Sequence, residues 1–205
     1  MKTRINLKKY ENLYDVFDKA HDRTHLEEVR EVALKLGREY CPSKLEIIYV
    51  SATLHDIGLS ISRDDHEKHG YEMIKKETEI RGIYSEEDFN IILEAVREHR
   101  ASTGNPKSIV ARIIADADRT PKSTSRALER AYDFYCKDLK NLSKEEILKE
   151  IANHLYKKFG PQGYGRKLYF KETEKIHEEI FNKICKKIKQ GNLKEIEKHI
   201  NLIQQ

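Results

Sequence analysis

The chain has 205 residues, of which 36% are charged and 8% are aromatic, and its formal net charge is +4. Low glycine and proline contents with many charged residues favour amphipathic helices over a sheet sandwich, so we expect an all-α fold. No stretch approaches the roughly 18 apolar residues of a membrane span, and the mild, dispersed charge does not indicate a nucleic-acid-binding surface. We therefore expect a cytoplasmic protein with neither a membrane nor a nucleic acid as partner.

The three cysteines of the chain lie far apart and form no C-x-x-C pair. They are Cys41, Cys136 and Cys185. An odd number at these spacings argues against a disulfide framework or a structural zinc knuckle. We expect buried or incidental thiols.

The first predicted helices lead to a histidine on a buried face. Apolar and aromatic residues at helical spacing between 10 and 17 predict a short first helix that packs on the domain. Asp22 or Thr24 is the expected cap of a second helix that runs to about Tyr40. His25 lies at the inward edge of the first turns of that helix.

The next helix is apolar and delivers a histidine and an aspartate side by side. Ser43 and Glu46 predict a capping box at its start. His55 and Asp56 continue its buried face, and burying them unpaired would cost roughly 1–3 kcal/mol for a polar group and more for a charge. They therefore need partners, and a divalent metal is one. Gly58 is expected to end the helix with a positive φ.

Two more histidines stand where apolar faces begin or end. His66 starts a helix in which Gly70 would allow close approach of another backbone. Ser85 predicts the start of a helix whose apolar stripe ends at His99. His69 is expected to support the site from outside or to lie at the surface, and for His66 a solvated helix start is the open alternative.

A compact apolar run ends in two acids, Asp116 and Asp118. Pro106 fits an early position of this helix. On one helix the two acids point in well-separated directions, and the face shared with Ala111 and Ile114 selects Asp118 for the site, with Asp116 as its competitor.

The C-terminal part is predicted to be helical. Helices are expected at about 123–137, 143–158, 171–189 and 193–203. The glycine-rich stretch 160–165 lacks a preceding strand and a G-x-x-x-x-G-K-[ST] pattern, so it predicts a turn and not a phosphate loop. We expect one domain, 1–205, with a core over about 21–137 and a helical extension over about 138–205.

Six side chains lie on five predicted helices, each at the point where the apolar face of its helix ends. They are His25, His55, Asp56, His66, His99 and Asp118. Imidazole and carboxylate groups suit one or two divalent ions among Mn²⁺, Fe²⁺, Co²⁺, Ni²⁺, Zn²⁺ and Mg²⁺, and the lack of cysteine ligands argues against structural zinc. A bound ion lowers the pKa of its water from about 15.7 toward about 7 and polarises a phosphoryl oxygen. Hydrolysis of a phosphate ester or anhydride follows.

The order of these residues resembles the H…HD…D signature of the HD-domain superfamily of metal-dependent phosphohydrolases. The stretch from Asp22 to Val29 resembles its D-x-x-H-x-x-x-V helix, Leu-His-Asp-Ile-Gly its L-H-D-I-G centre, and Ala-Asp-Arg its closing A-D. The resemblance implies an HD-domain-like helical bundle with extra C-terminal helices. It also implies a ligand set for a first ion, with the central aspartate free to bridge to a second. That set is His25, His55, Asp56 and Asp118.

Two further residues are similar to the dinuclear branch of that superfamily, which includes cyclic-dinucleotide phosphodiesterases and a diadenosine-tetraphosphate hydrolase group. His66 with Gly70 resembles its H-x-x-x-G element, and His99 its later histidine. The chain lacks a G-Y-P motif, and Leu59 stands where a lysine follows H-D-I-G, which argues against cyclic-dinucleotide hydrolysis. It also lacks H-D-x-x-E, since Leu59 stands three positions after Asp56 and Ser60 follows it, which weakens the stringent-response alarmone and nucleotidase interpretations.

We therefore predict a phosphatase, pyrophosphohydrolase or phosphodiesterase that acts on a small phosphorylated substrate, with a nucleotide favoured. Asp56 and His99 are the predicted catalytic residues, and Arg100, Arg119 and Lys122 are candidate phosphate contacts. The alternatives are a non-catalytic metal- or nucleotide-binding helical module, or a cyclic-nucleotide or RNA phosphodiesterase; a homodimer is also open. No role is assigned to the remaining histidines. They are His21, His154, His177 and His199.

Overall fold

The computed structural model describes residues 2–18, 20–138 and 142–203, which form α-helices joined by turns and short 3-10 helices, with no strand among them. The expected all-α class is confirmed. Within the described ranges, no helix is both long and apolar enough to cross a membrane. The chain divides into two compact units, which are Met1–Phe17 with His21–Arg119 and Asp18–Ala20 with Thr120–Gln205. The division into a core over about 21–137 and an extension stays a prediction.

The first unit is a bundle of helices around an aliphatic core. Its helices are α1 (Lys8–Glu11), α2 (Arg23–Tyr40), α3 (Leu45–Leu54), α4 (His66–Lys75), α5 (Thr78–Ile83), α6 (Glu86–Glu98) and α7 (Ile109–Arg119). Helix α2 packs against α3 and α7, and α6 packs against α3, α4 and α7. Leu26, Ile48, Ile92 and Ile114 are completely buried between them. Each such side chain contributes about 1.5–3 kcal/mol of burial free energy, which fixes the helix ends where the site lies.

Two helix starts follow the sequence prediction. The Asp22 carboxylate accepts hydrogen bonds from the backbone N–H groups of Thr24 and His25, so Asp22 and not Thr24 caps α2. The Ser85 hydroxyl accepts a hydrogen bond from the N–H of Asp88 at the start of α6. Both caps satisfy amide groups that the first turn of a helix leaves without partners.

The predicted capping box at Ser43 and Glu46 is wrong. A 3-10 helix (Pro42–Lys44) precedes α3, and no side chain caps α3. The Glu46 carboxylate instead accepts hydrogen bonds from Arg4 and from the hydroxyl of Tyr84. A long-range ion pair has therefore taken the side chain that the local pattern assigned to the helix start.

The reason expected for a glycine at position 58, a positive φ at the end of the helix, is also wrong. Helix α3 already ends at Leu54, and Gly58 lies in a 3-10 helix (Ile57–Ser60) without a positive φ. A Cβ atom at Gly58 would lie 1.9 Å from the carbonyl oxygen of His66 and 2.5 Å from the backbone nitrogen of Gly70. Glycine is required here because the backbone of α4 passes too close for any side chain, and the close approach expected at Gly70 is confirmed.

Two further differences concern the middle of the chain. Helix α7 begins at Ile109 and not near Pro106, because the Glu94 carboxylate accepts hydrogen bonds from the N–H groups of Lys107 and Ser108 and holds them outside the helix. The short helix α5 was not predicted. Its six residues present too little periodicity for recognition from the sequence.

The second unit has its own apolar core. Its helices are α8 (Thr124–Asp138), α9 (Lys144–Phe159), α10 (Lys171–Ile180), α11 (Lys186–Lys189) and α12 (Lys194–Ile203). The predicted helix over 171–189 is continuous but passes through a π-helical turn (Phe181–Cys185) between α10 and α11. Residues 160–163 form the expected turn, which leads into a 3-10 helix (Tyr164–Arg166). Cys41 is half-buried and Cys185 is buried, both as free thiols, and Cys136 lies outside the described side chains.

Candidate metal centre

Helix α2 brings His25 to the centre of the first unit. Because Asp22 caps this helix, His25 lies in its first turn with its ring completely buried. His25 Nε2 lies 3.3 Å from Asp118 Oδ1 and 3.5 Å from Asp56 Oδ2. Residues from the start of α2, the end of α7 and the segment after α3 therefore meet at one point.

The end of α3 orients His55. Its Nδ1 lies 2.8 Å from the carbonyl oxygen of Ala52, one turn back on the same helix. A carbonyl only accepts hydrogen bonds, so in the neutral ring Nδ1 carries the hydrogen and Nε2 keeps its lone pair. That Nε2 lies 3.1 Å from Asp56 Oδ2 and 3.4 Å from His25 Nε2.

His66 and His99 face each other on the other side of Asp56. Their Nδ1 atoms face the carbonyl oxygens of Arg63 (3.2 Å) and Val96 (2.8 Å), so their Nε2 atoms also carry lone pairs in the neutral rings. The two Nε2 atoms lie 3.1 Å apart. Lone pairs at this separation repel each other unless a proton or a cation lies between them.

Asp56 joins the two pairs of histidines. Its Oδ2 faces His25 and His55, while its Oδ1 lies 3.4 Å from Nε2 of both His66 and His99. Asp56 Oδ2 is buried and has no hydrogen-bond partner among the described residues. A buried carboxylate oxygen without a donor is costly, and a cation at that atom removes the cost.

The six side chains form two groups that could each hold a metal ion, with the ligand atoms of each group within 4.8 Å of one another. The groups are His25, His55 and Asp118, and Asp56, His66 and His99. We call them the first and second ligand groups. All the residues that the sequence assigned to the metal are thus brought together. Asp116, the competitor of Asp118, is completely buried and belongs to neither group.

The electrostatics of this region favour a cation. Burial opposes the charged form of Asp56, but His55 and the other imidazoles outweigh it and hold the pKa of the carboxyl well below its usual range. Burial also opposes charge on Asp118, and His25 lowers the pKa of that carboxyl in the same way. Burial disfavours the His55 imidazolium, yet Asp56 and Asp118 raise its pKa to about 9. Both carboxyl groups are therefore ionised, and their field attracts positive charge.

Two arginines flank the ligand groups. Arg119, a candidate phosphate contact, is buried and donates a hydrogen bond to the carbonyl oxygen of His99 at 2.9 Å, so it supports the end of α6. Arg100 is about one-third exposed and lies 3.2 Å from the buried carboxylate of Glu67. Lys122 lies in the second unit.

Among the described side chains, the histidines without an assigned role lie outside both ligand groups. The ring of His21 stands edge-on to that of His25 with centroids 5.8 Å apart. His154 and His177 lie in the second unit, and the side chain of His199 lies outside the described part of the chain. His69, on α4, is half-buried.

Sequence reasoning missed two residues beside the ligand groups. Tyr14 is completely buried, and its hydroxyl reaches the backbone around His55 and Asp56. It belonged to the aromatic pattern of the first predicted helix, which signalled only packing. Glu67 is buried next to His66, with its carboxylate 3.8 Å from His66 Nδ1. No pattern distinguishes it from the many exposed glutamates of the chain.

Comparison with known proteins gives a family match and a structural neighbour. Residues 23–121 match the family model of the HD domain. The crystal structure of a predicted HD superfamily hydrolase from an uncultured Thermotogales bacterium is similar to this chain, with a TM-score of 0.53, 21% identity and 90% of each chain covered. At this identity the likeness supports the fold. Residues 23–121 belong to the HD-domain superfamily. Among curated proteins, no match was found.

Proposed function

We propose that this protein is a metal-dependent phosphohydrolase that acts on a nucleotide or another small phosphate ester or anhydride. The observation that supports it most directly is the position of Asp56, whose two oxygens face different pairs of histidines. The HD domain over residues 23–121 is consistent with hydrolase chemistry.

The residues present fit two divalent ions. His25, His55 and Asp118 would hold one with Asp56 Oδ2, and His66 and His99 would hold the other with Asp56 Oδ1. Nitrogen and oxygen donors without thiolates suit Mn²⁺, Fe²⁺, Co²⁺, Ni²⁺, Zn²⁺ or Mg²⁺. When bound, such ions supply an acidified water and polarise a phosphoryl oxygen.

The chain itself orients the donors and leaves one side of the centre accessible. The hydrogen bonds of Nδ1 to backbone carbonyls fix the rings of His55, His66 and His99. The side chains of Asp118 and His66 are 23% and 13% exposed, whereas Asp56 is buried. Substrate would approach along this accessible side. Because two carboxylates do not neutralise two divalent ions, the loaded centre would attract an anionic phosphate.

The roles proposed for Asp56 and His99 differ in kind. Asp56 would help to hold both ions, which would supply the activated water when bound. His99 is almost completely buried and its Nε2 faces His66, which favours a ligand role over direct contact with substrate oxygens. Its catalytic role stays a prediction.

Elemental analysis of protein purified without chelator, followed by assays with each ion, tests the proposal. The substrates are p-nitrophenyl phosphate, its bis ester, a nucleotide panel and a short RNA. We expect metal in the wild type and cleavage of at least one phosphate. Asp56→Asn should lower turnover by about 100-fold or more, by analogy with loss of a metal-supporting group. Asp64→Asn, in the exposed loop before α4, is the matched control.

Full turnover in Asp56→Asn would contradict the proposal. Bound metal with nucleotide binding but no cleavage of any phosphate would favour the binding-module alternative instead.

A further inference from the structure

The backbone changes its hydrogen bonding at the central histidine and aspartate. Helix α3 ends at Leu54, and a 3-10 helix begins at Ile57. Between them the N–H of Asp56 and the carbonyl of Thr53 leave the regular helical ladder, and such buried groups need other partners. The carbonyl of Ala52 obtains one from His55 Nδ1 at 2.8 Å.

The hydroxyl of Tyr14 is the hydrogen-bond partner of the carbonyl of Thr53 and of the N–H of Asp56. It donates to the carbonyl oxygen of Thr53 at 3.0 Å and accepts from the N–H of Asp56 at 3.4 Å. It also lies 3.5 Å from His55 Nδ1. A phenol has one hydrogen to donate and lone pairs to accept, so a single hydroxyl matches this set.

Tyr14 is itself held rigidly. It lies in a 3-10 helix (Asn12–Asp15) that is tied to α2 by Arg23, which donates to the Asp15 carboxylate at 2.6 and 2.7 Å and to the carbonyl of Glu11 at 3.1 Å. Arg30, also on α2, pairs with the side chain of Glu11.

Arg30 also connects the segment that carries Tyr14 to α3. Arg30 donates to the hydroxyl of Thr53 from Nε at 3.0 Å and from its terminal nitrogen at 2.7 Å. Tyr14 thus binds the carbonyl of Thr53, and Arg30 binds its hydroxyl. The end of α3 is clamped to α2 through the N-terminal segment.

We propose that Tyr14 is a positioning residue, which fixes the backbone of His55 and Asp56 so that the Asp56 carboxylate faces both pairs of histidines. This inference rests on the proposed function, because only an ion-binding centre needs the Asp56 carboxylate in that orientation. The competing explanation is that Tyr14 only fills the core. Its ring does pack, edge-on to Phe17 at 5.3 Å, so a test must keep the ring and remove the hydroxyl.

Tyr14→Phe makes that change, and Tyr10→Phe is the matched control. Tyr10 is buried in the preceding helix, and its hydroxyl lies beside Lys9 and Glu77 and not at the backbone of His55 and Asp56. The readouts are Mn²⁺ affinity by calorimetry and the visible absorption spectrum of the Co²⁺-loaded protein. We expect Tyr14→Phe to bind Mn²⁺ about 10–100-fold more weakly, with an altered Co²⁺ spectrum, because groups that orient ligands have effects of this size. Tyr10→Phe should match the wild type in both.

Amide hydrogen exchange of Asp56 provides a measurement that needs no metal. In chelator-treated protein, Tyr14→Phe should exchange this amide faster than wild type, while amides in the middle of α6 stay unchanged. Equal exchange rates, or wild-type Mn²⁺ affinity and Co²⁺ spectrum in Tyr14→Phe, would overturn the inference. A wild type that binds no ion would refute the proposed function, and the exchange rates would then decide the role of Tyr14 alone.

Discussion

The raised pKa of His55 predicts a pH-dependent stability of the protein stripped of metal. Its pKa is about 9 in the folded state against an ordinary value of 6.5. A folded pKa above the unfolded value means that the stabilisation is fully present below pH 6.5 and is lost as the pH rises through 9. At about 1.36 kcal/mol per pKa unit, the loss amounts to about 3 kcal/mol.

Urea unfolding in the presence of a chelator, at about pH 6.5, 8 and 9.5, measures this loss as a falling midpoint. The variant His55→Asn should lose most of the slope, because the group that titrates is gone. His154 does not confuse the result, since burial lowers its pKa to about 4 and its contribution changes below pH 6.5. A free energy of unfolding that stays constant or rises toward pH 9.5, or an equal slope in His55→Asn, would refute the reasoning. With excess Mn²⁺ the trend should reverse, because protons compete with the ion for the imidazole.

Two further predictions concern α4 and its neighbours. Gly58→Ala should lower the free energy of unfolding by about 1–3 kcal/mol or more, because its Cβ would lie 1.9 Å from a carbonyl oxygen, whereas Gly82→Ala has open space and should raise it by up to about 1 kcal/mol. Urea unfolding compares them, and equal effects would contradict the explanation given for Gly58. His66→Ala should reduce the bound metal to one ion per chain in elemental analysis, while His69→Ala, on the same helix, keeps both; equal metal contents would argue against a second ion.

Much of the fold and the candidate ligand groups could be predicted because the evidence for them is local. His25, His55 and His99 each stand at the end of an apolar face, and helical periodicity depends only on neighbouring residues. The direction of the Asp118 side chain relative to Asp116 followed from the same periodicity. The all-α class followed from composition.

The remaining features depend on contacts between distant segments, which periodicity does not report. Glu46 is drawn from its predicted cap by Arg4, 42 residues away in the chain. Gly58 is required by the backbone of α4, which no pattern around Gly58 reveals. The sequence around Tyr14 indicates only a packing residue, because its hydrogen-bond partners lie 39 and 42 residues further along the chain.

The bond between Arg119 and the carbonyl of His99 has a consequence for how the centre would fill. Asp118 belongs to the first ligand group and Arg119 follows it directly, so two successive residues of α7 touch both groups. An ion that orders this helix end on arrival would lower the entropy loss for the next ion. We therefore expect cooperative loading, in which half-filled protein is scarce and the occupancy curve is steeper than for independent sites.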